Sequence, residues 1–241
     1  GIAALLKRWV IEDPKALVLG EGVTDPLGIF GTLLPARQAC PDRFIETPLS
    51  ETMLTGACVG LAMEGFHPLY VHARFDFSLF CFEHLINTAA KFAFTHPGQR
   101  LPMMMRVLVG RGWGQGPNHG QNFQMALAAV PGLRVVVPVR ASSYWQSFIS
   151  TFWEQRGPTV LVEHRSLHDL EEEEIEEMIQ APDGAEVQLV PIGDALLVAA
   201  EASKELRVKH GVTAAVTPLE ELSRAALSEI TREGIPQVMV M

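Results

Sequence analysis

The 241-residue chain has only three cysteines, and none of them pair in the CxxC spacing of a zinc or redox motif. It has no excess of positive charge, because 19 Lys and Arg face 28 Asp and Glu and give a formal net charge of −9. Polar residues interrupt every apolar stretch before it reaches the ~18 residues needed to span a bilayer. These absences argue against a structural zinc module, nucleic-acid binding and membrane insertion, and predict a reducing, cytoplasmic location.

Common catalytic motifs are also missing. The chain has no GxSxG elbow, and its eight histidines show neither HxH nor HExxH spacing. The glycine-rich segment 110–120 is not followed by the Gly-Lys-Ser/Thr of a nucleotide-binding loop. The sequence therefore disfavours a serine hydrolase, a histidine-based metal site and a P-loop enzyme, and we predict no metal ligands in this chain.

Short apolar runs instead alternate with longer segments of helical period. This pattern is typical of an α/β fold with a mostly parallel sheet flanked by helices. An acidic stretch between Asp169 and Glu177 interrupts it and indicates a solvated linker with about one helical turn. We predict a first domain over residues 1–165, a linker over 166–188 and a smaller, apparently incomplete α/β unit over 189–241.

Within this frame, the apolar spacing makes several specific predictions. Ser50 is expected to begin a helix with Glu51 in its first turn, and a second helix is expected from Phe77 to about Phe94. Ala195–Ala199 is predicted to form the first strand of the second unit. A final apolar run, 236–241, is predicted to be a buried strand.

Three segments contain side chains that suit a binding or catalytic site. Glu51 either only complements a helix dipole or faces a ligand at a sheet edge. Phe77, at a junction between a strand and a helix, either packs in the core or stacks on a planar ligand. His119 ends the glycine-rich segment and is either a plain loop histidine or a general acid or base. The residues alone leave these alternatives open.

Taken together, the motifs resemble a known family. The ordered set is similar to the beta subunits of thiamine-diphosphate-dependent 2-oxoacid dehydrogenases of the pyruvate and branched-chain type, which are related to the transketolase pyrimidine domain. The matching segments are, in order, Gly20-Glu21, Thr47-Pro48-Leu49-Ser50-Glu51, Phe75-Asp76-Phe77, Asn87-Thr88-Ala89-Ala90-Lys91, His119-Gly120-Gln121 and 131–138.

This resemblance implies a role for each candidate residue. Glu51 would hydrogen-bond a ring nitrogen of the cofactor's aminopyrimidine, and Phe77 would stack on that ring. Glu21 and the backbone at Leu49 would line the same pocket. His119 would face the substrate, so that Glu51 and His119 are the expected catalytic residues and thiamine diphosphate is the expected cofactor.

The resemblance also implies a partner. The Gly-Asp-Gly motif that binds diphosphate and Mg²⁺ in thiamine enzymes is missing, since Ile192-Gly193-Asp194-Ala195 does not match it. An alpha-type subunit is therefore expected to hold Mg²⁺ in an alpha2beta2 assembly. The implied reaction decarboxylates a small 2-oxo acid and passes the acyl unit to a lipoyl acyltransferase.

Two departures from the family pattern keep other functions open. The family usually has His-Ser-Gln-Ser where this chain has His119-Gly120-Gln121-Asn122, and Gln-Phe-Ala-Asp where this chain has Ala73-Arg74-Phe75-Asp76. Both segments belong to the cofactor or substrate side. A two-chain transketolase-like carboligase acting on a sugar or aldehyde is one alternative, and a non-catalytic scaffold subunit is another.

Overall fold

The computed structural model describes residues 1–110, 112, 115–231 and 233–241. Its larger part is a six-stranded sheet in the order β2-β1-β3-β4-β6-β5, in which all neighbouring strands run parallel. The predicted fold class is confirmed. The strands of this sheet are β1 (Ala16–Gly20), β2 (Phe44–Glu46), β3 (His67–His72), β4 (Met104–Val109), β5 (Arg134–Val136) and β6 (Thr159–His164).

Both faces of this sheet are buried. In β4, Met105 and Val107 pack into the core on one face, whereas Met104 and Leu108 pack into the core on the other. Successive side chains of a strand point to opposite faces, so a strand covered on both sides must be apolar throughout. This explains why the strands are continuous apolar runs in the sequence.

Helices cover the two faces and form most of the connections. Short 3₁₀ and π segments extend or link several of them. The α-helices are α1 (Ile2–Glu12), α2 (Leu34–Ala39), α3 (Glu51–Met63), α4 (Phe92–Thr95), α5 (Gln124–Ala128), α6 (Ala141–Phe148), α7 (Glu172–Met178), α8 (Ala195–Glu205) and α9 (Arg224–Ile230).

A smaller parallel sheet follows, in the order β8-β7-β9. Its strands are β7 (Val187–Pro191), β8 (Ala214–Val216) and β9 (Gln237–Val240). Helix α7 in the acidic stretch has two turns rather than the expected one, because Glu171 and Glu174 form a reciprocal capping box at its start. The proposed domain boundaries remain a prediction.

The single helix predicted from Phe77 to about Phe94 is wrong. The chain instead forms a 3₁₀ segment over Phe75–Cys81, a π segment over His84–Ala89 and the short helix α4. Phe75 and Cys81 are fully buried, while Phe80 is 63% exposed. Since a 3₁₀ turn has three residues, the buried positions no longer follow the α-helical period that the prediction assumed.

Two predictions in the second unit are also wrong. Ala195–Ala199 lies in helix α8, and the strand precedes it as β7. A short apolar run is ambiguous between helix and strand, and alanine and leucine favour the helix. The final run forms strand β9, but it is largely exposed rather than buried, because β9 pairs only with β7 at one side of its sheet.

Candidate active site

A pocket opens at the carboxyl ends of the first strands, where α/β proteins bind ligands. It is formed where β1 and β3 end and where the chain enters α3. Its lining residues are Glu21, Thr47, Pro48, Leu49, Ser50, Glu51, Tyr70, Val71, His72, Ala73 and Phe77. Four residues predicted from the sequence, Glu21, Leu49, Glu51 and Phe77, are therefore brought together.

Glu51 occupies the first turn of α3, as predicted. Ser50 is the N-cap residue, although its side chain makes no capping hydrogen bond. The backbone carbonyl of Glu51 accepts a hydrogen bond from Thr55 Oγ1 at 2.7 Å and lies 3.7 Å from Cys81 Sγ. Within the described residues, no hydrogen bond or ion pair reaches the Glu51 side chain, so its carboxylate oxygens are available to accept hydrogen bonds from a ligand.

The floor of the pocket, formed by Tyr70 and His72 at the end of β3, is uncharged. The Tyr70 and His72 rings contact each other with centroids 4.2 Å apart, and Cys81 Sγ lies 3.6 Å from His72 Nε2. Burial lowers the pKa of His72 to about 3 and raises the pKa of the Cys81 thiol to about 12. Burial also raises the pKa of Tyr70, to which Cys81 and Glu51 contribute. All three side chains are therefore neutral at pH 7.

Thr47 gives independent evidence that the pocket receives a polar ligand. Thr47 is only 8% exposed, and its Oγ1 has no hydrogen-bond partner within the described part of the chain. A buried hydroxyl without a partner costs about 1–3 kcal/mol. Because Thr47 lines the pocket, a bound polar group is the simplest way to satisfy this hydroxyl.

His119 is next to the pocket through its contact with Phe77, a lining residue. Its ring meets the Phe77 ring edge-on, with centroids 5.5 Å apart. The carboxylate of buried Asp76 secures the following loop, since Oδ1 accepts hydrogen bonds from Gln121 N at 3.1 Å and from Gln121 Nε2 at 2.9 Å. The structure therefore places all the predicted site residues in one region, with His119 on the side of Phe77.

Sequence reasoning missed Tyr70 and His72 as pocket residues. His72 was one of several scattered histidines without metal-ligand spacing, and Tyr70 was part of an apolar run. The available signal was their place at the end of β3, because the carboxyl ends of parallel strands border the ligand site. Three residues of the glycine-rich segment, Arg111, Trp113 and Gly114, lie outside the described residues.

The structure also bears on metals and membranes. Across residues 1–110, 112, 115–231 and 233–241, no cluster of three or more His, Cys, Asp or Glu is arranged to hold a metal ion. In the same ranges, no helix has the length and apolarity required to cross a bilayer.

The fold and pocket define a parallel α/β cofactor-binding domain whose site lies at the carboxyl edge of the sheet. The chain belongs to the transketolase pyrimidine-binding domain family, since the model described as "Transketolase, pyrimidine binding domain" matches residues 1–169. The family resemblance seen in the ordered motifs is thereby confirmed.

Relatives within this family are oxidoreductase subunits. The chain is 30% identical over 237 residues to the beta subunit of acetoin:2,6-dichlorophenolindophenol oxidoreductase from Cupriavidus necator, an alignment covering 90% of this chain and 70% of that protein. It is 31% identical over 165 residues to the pyruvate dehydrogenase E1 component subunit beta from Rickettsia conorii, covering 68% of this chain. The aligned part is half of the Rickettsia subunit, at 50% of its length.

Solved structures show the same fold. The inactive beta4 tetramer of a split-gene transketolase superposes with a TM-score of 0.71 at 19% identity, covering 99% of this chain and 86% of that one. A transketolase from Pichia stipitis gives a TM-score of 0.75 at 17% identity, covering 100% of this chain and 38% of that one. These similarities concern the fold alone.

Proposed function

We propose that this chain is a beta-type subunit of a thiamine-diphosphate-dependent enzyme that decarboxylates a 2-oxo acid and transfers the acyl unit. The observation that carries the proposal is the pocket that joins Glu51 to Glu21, Leu49 and Phe77. Relatives named as beta subunits of pyruvate dehydrogenase and of an acetoin oxidoreductase support it.

The residues present fit the pyrimidine half of this cofactor. An aminopyrimidine is planar and carries hydrogen-bond donors and acceptors, which match the Phe77 ring, the Glu51 carboxylate and the unsatisfied Thr47 hydroxyl. When bound, thiamine diphosphate supplies a carbon nucleophile that attacks the substrate carbonyl and accepts the electron pair released by decarboxylation.

Glu51 is proposed to hold or share a proton with the pyrimidine ring. Glu51 lines the pocket together with Tyr70 and His72, whose side chains are both neutral at pH 7. A carboxyl group within hydrogen-bonding reach of a ring nitrogen can act as a general acid or base toward it.

His119 is proposed to act on the substrate side. Its contact with the edge of Phe77 places the imidazole next to the ring that would stack on the pyrimidine. Asp76 and Gln121 hold the loop in this position. The imidazole can thereby donate a proton to, or accept one from, the acyl group during its transfer to a lipoyl acceptor.

The pocket of this chain is one side of a complete site. Its volume is about 60 Å³, well below the roughly 300–1,000 Å³ of complete small-molecule sites. Large apolar side chains are exposed in its lining and in the adjoining segments: Leu49 in the lining is 68% exposed, Met53 in α3 57%, and Phe80, whose carbonyl accepts a hydrogen bond from Thr52 Oγ1, 63%. An apolar rim of this kind suits a protein partner.

That partner is proposed to be an alpha-type subunit in an alpha2beta2 assembly. It would bind the diphosphate and Mg²⁺, for which the described residues of this chain offer no ligand cluster. Its apolar surface would cover Leu49, Met53 and Phe80 and exclude water from the cofactor.

The variant Glu51→Gln tests the proposal. The chain is produced with its partner subunit, and 2-oxo acid decarboxylation is followed by the reduction of an artificial electron acceptor. We expect activity to fall by roughly 10²–10⁴-fold, because glutamine cannot exchange the proton. Calorimetric titration should still detect thiamine diphosphate binding, since the pocket keeps its shape.

Glu64→Gln is the matched control, because Glu64 is exposed at the opposite end of the same helix. It should retain wild-type activity. Full activity of Glu51→Gln would contradict the catalytic role. Products with a new carbon–carbon bond would identify a carboligase instead, and absence of thiamine diphosphate binding would identify a scaffold subunit.

A further inference from the structure

Two guanidinium groups approach one exposed aromatic ring beside the pocket. Arg74 Cζ lies 5.9 Å from the centroid of the Phe30 ring, and Arg165 Cζ lies 5.0 Å from the same centroid. Phe30 is 44% exposed. A cation over an aromatic face is attracted to it, so the ring holds two positive charges in one small area.

The backbone that presents Phe30 is strained. Ile29 and Phe30 have φ angles of 47° and 57°, in the left-handed region that residues other than glycine seldom adopt. Such conformations cost about 1–3 kcal/mol each and persist only where other interactions enforce them. The ring is therefore held at this position by the fold rather than by local preference.

The three residues converge because they follow parallel strands. Phe30 is in the loop after β1, Arg74 comes two residues after β3, and Arg165 comes directly after β6. Their strands all end at the edge of the sheet that contains the pocket. Arg74 is adjacent to Ala73, which lines the pocket, so the cluster borders the cofactor site without entering it.

Arg74 is held in a defined orientation. Gln115 Oε1 accepts hydrogen bonds from Arg74 Nε at 3.2 Å and from Nη2 at 3.0 Å, and the carbonyl of Ala73 accepts one from Nη1 at 2.8 Å. Gln115 precedes His119 by four residues on the same loop. The residue that orients the guanidinium therefore belongs to the same loop as the histidine that is proposed to face the substrate.

The charge of this cluster persists at neutral pH. Burial lowers the pKa of Arg74, the Asp76 carboxylate opposes that shift, and the guanidinium remains protonated. Arg165 pairs with Asp169 at 2.9 Å, but this is an exposed pair four residues apart. Such pairs contribute little in water, so Arg165 can exchange Asp169 for another anion.

We propose that Arg74, supported by Arg165 on the shared ring of Phe30, binds a second carboxylate at the far end of the substrate. The proposal rests on the proposed function and narrows its substrate class to dicarboxylic 2-oxo acids. Arginine suits this role because its guanidinium is permanently charged and attracts a carboxylate.

The position of the cluster favours a distal carboxylate over the one that leaves as carbon dioxide. A cation on the leaving carboxylate stabilises the substrate more than the transition state, in which that charge disperses, and so slows the reaction. Arg74 and Arg165 lie outside the residues that line the pocket. They can therefore contact the far end of a bound substrate while its carbonyl lies near His119.

A binding experiment tests the subsite without relying on activity. Glutarate, an unreactive dicarboxylate, is titrated by calorimetry into the chain alone and into its complex with the partner subunit. We expect saturable binding that Arg74→Gln weakens on the order of 10–100-fold, the effect of losing a charge-assisted hydrogen bond. Arg165→Gln should weaken it less, and Arg74→Lys should restore part of it.

Arg100→Gln is the matched control. Arg100 is exposed and lies shortly before β4, at the opposite edge of the sheet. It should bind glutarate like the wild type, and circular dichroism of every variant should match the wild type. No glutarate binding in either preparation, or equal binding by Arg74→Gln, would overturn the subsite.

Turnover distinguishes the subsite from the proposed function. We compare 2-oxoglutarate with 2-oxo-5-methylhexanoate, in which an uncharged isopropyl group replaces the distal carboxylate. The wild type should favour 2-oxoglutarate by at least tenfold in kcat/KM, and Arg74→Gln should lose this preference mainly through KM. If Arg74→Gln lowered kcat/KM for both substrates equally, Arg74 would have a structural role only. That result would refute the subsite but leave the proposed function intact. Glutarate binding without turnover of any 2-oxo acid would support the subsite and refute the proposed function.

Discussion

Gly193 lies where another side chain would collide with a buried histidine. A Cβ atom at this position would be 2.4 Å from His164 Nε2, and the backbone has a φ of 59°. The His164 ring cannot move aside easily, because Nδ1 is 2.8 Å from Asp194 Oδ1 and Nε2 is 3.3 Å from Gln124 Oε1. The absence of a side chain at residue 193 is therefore what lets the smaller sheet approach β6.

We expect Gly193→Ala to lower the free energy of unfolding by about 2–4 kcal/mol, because overpacking adds to backbone strain. Urea denaturation measures the change. Gly211→Ala is the control, since Gly211 has a similar φ of 69° but nothing within 4 Å of a Cβ. It should cost only about 1 kcal/mol. If both variants lost the same free energy of unfolding, the structure around His164 would have relaxed to accommodate the added methyl group, contrary to this prediction.

The ordered motifs, through their resemblance to a known family, predicted part of the site. Glu51 and Phe77 follow from their position in ordered motifs, and the structure brings them together with Glu21 and Leu49. The unsatisfied hydroxyl of Thr47 could not be predicted in this way. Whether a buried polar atom finds a partner depends on neighbours from distant parts of the chain.

Neighbouring strands β4 and β6 are joined by a buried ion pair in addition to their backbone hydrogen bonds. Arg106 Nη2 lies 2.7 Å from Glu163 Oε2, and Tyr144 OH donates to Glu163 Oε1. Burial alone raises the pKa of Glu163, but the charge of Arg106 and hydrogen bonds from His168 and Arg106 lower it to about 2. The folded pKa thus lies below the usual value of 4.5.

Because the folded pKa is depressed, Glu163 stabilises the native state above pH ~5, and this contribution is lost as the pH falls toward 2. Arg106→Met leaves the carboxylate buried without its cation and should cost about 3–5 kcal/mol at pH 7. The difference in unfolding free energy between the wild type and Arg106→Met should be smaller at pH 4, where the Glu163 carboxyl group of the variant is protonated. Urea denaturation at both pH values checks this, with Arg100→Met as the exposed control. A deficit independent of pH would contradict the assignment.

Secondary-structure elements were predictable where their pattern was long and regular. Strands β1, β3, β4 and β6 are apolar runs bordered by turn residues, and α3 begins after Ser50 as expected. The segment 75–95 was not predictable, because its helical turns change type from 3₁₀ to π to α. Buried contacts with β3 and α3 select these turns, and the local spacing does not encode them.

At the scale of the whole molecule, Glu220 joins the two sheets. Its carboxylate accepts hydrogen bonds from Val139 N at 2.8 Å, from Arg140 Nε at 2.9 Å and from Ser143 Oγ at 2.8 Å. The backbone amide of Val137 also donates to the Glu220 carbonyl at 2.7 Å. The segment after β8 is thereby fixed to the start of α6.

Glu220→Ala should lower the free energy of unfolding by about 2–3 kcal/mol, because several donors at the start of α6 lose a charged acceptor. It should also speed proteolysis in the segment 171–186 between the sheets. Chemical denaturation and limited digestion with a glutamate-specific protease measure the two effects, because segment 171–186 contains several glutamates and no Lys or Arg. Glu229→Ala, at an exposed position of α9, should change neither. An unchanged digestion pattern in Glu220→Ala would show that other contacts hold the sheets together.

The sequence by itself determined the parallel α/β class, the family and the candidate residues, because two-sided burial leaves continuous apolar runs and the motifs are local. Tertiary structure alone decided the uncharged floor of the pocket, the strained ring of Phe30 with its two arginines, and the contacts between the sheets. The ring of Phe30 and the contacts between the sheets join residues that are distant in the sequence, such as Phe30 with Arg165 and Val139 with Glu220. Their electrostatics depend on burial and distance, which exist only once the chain has folded.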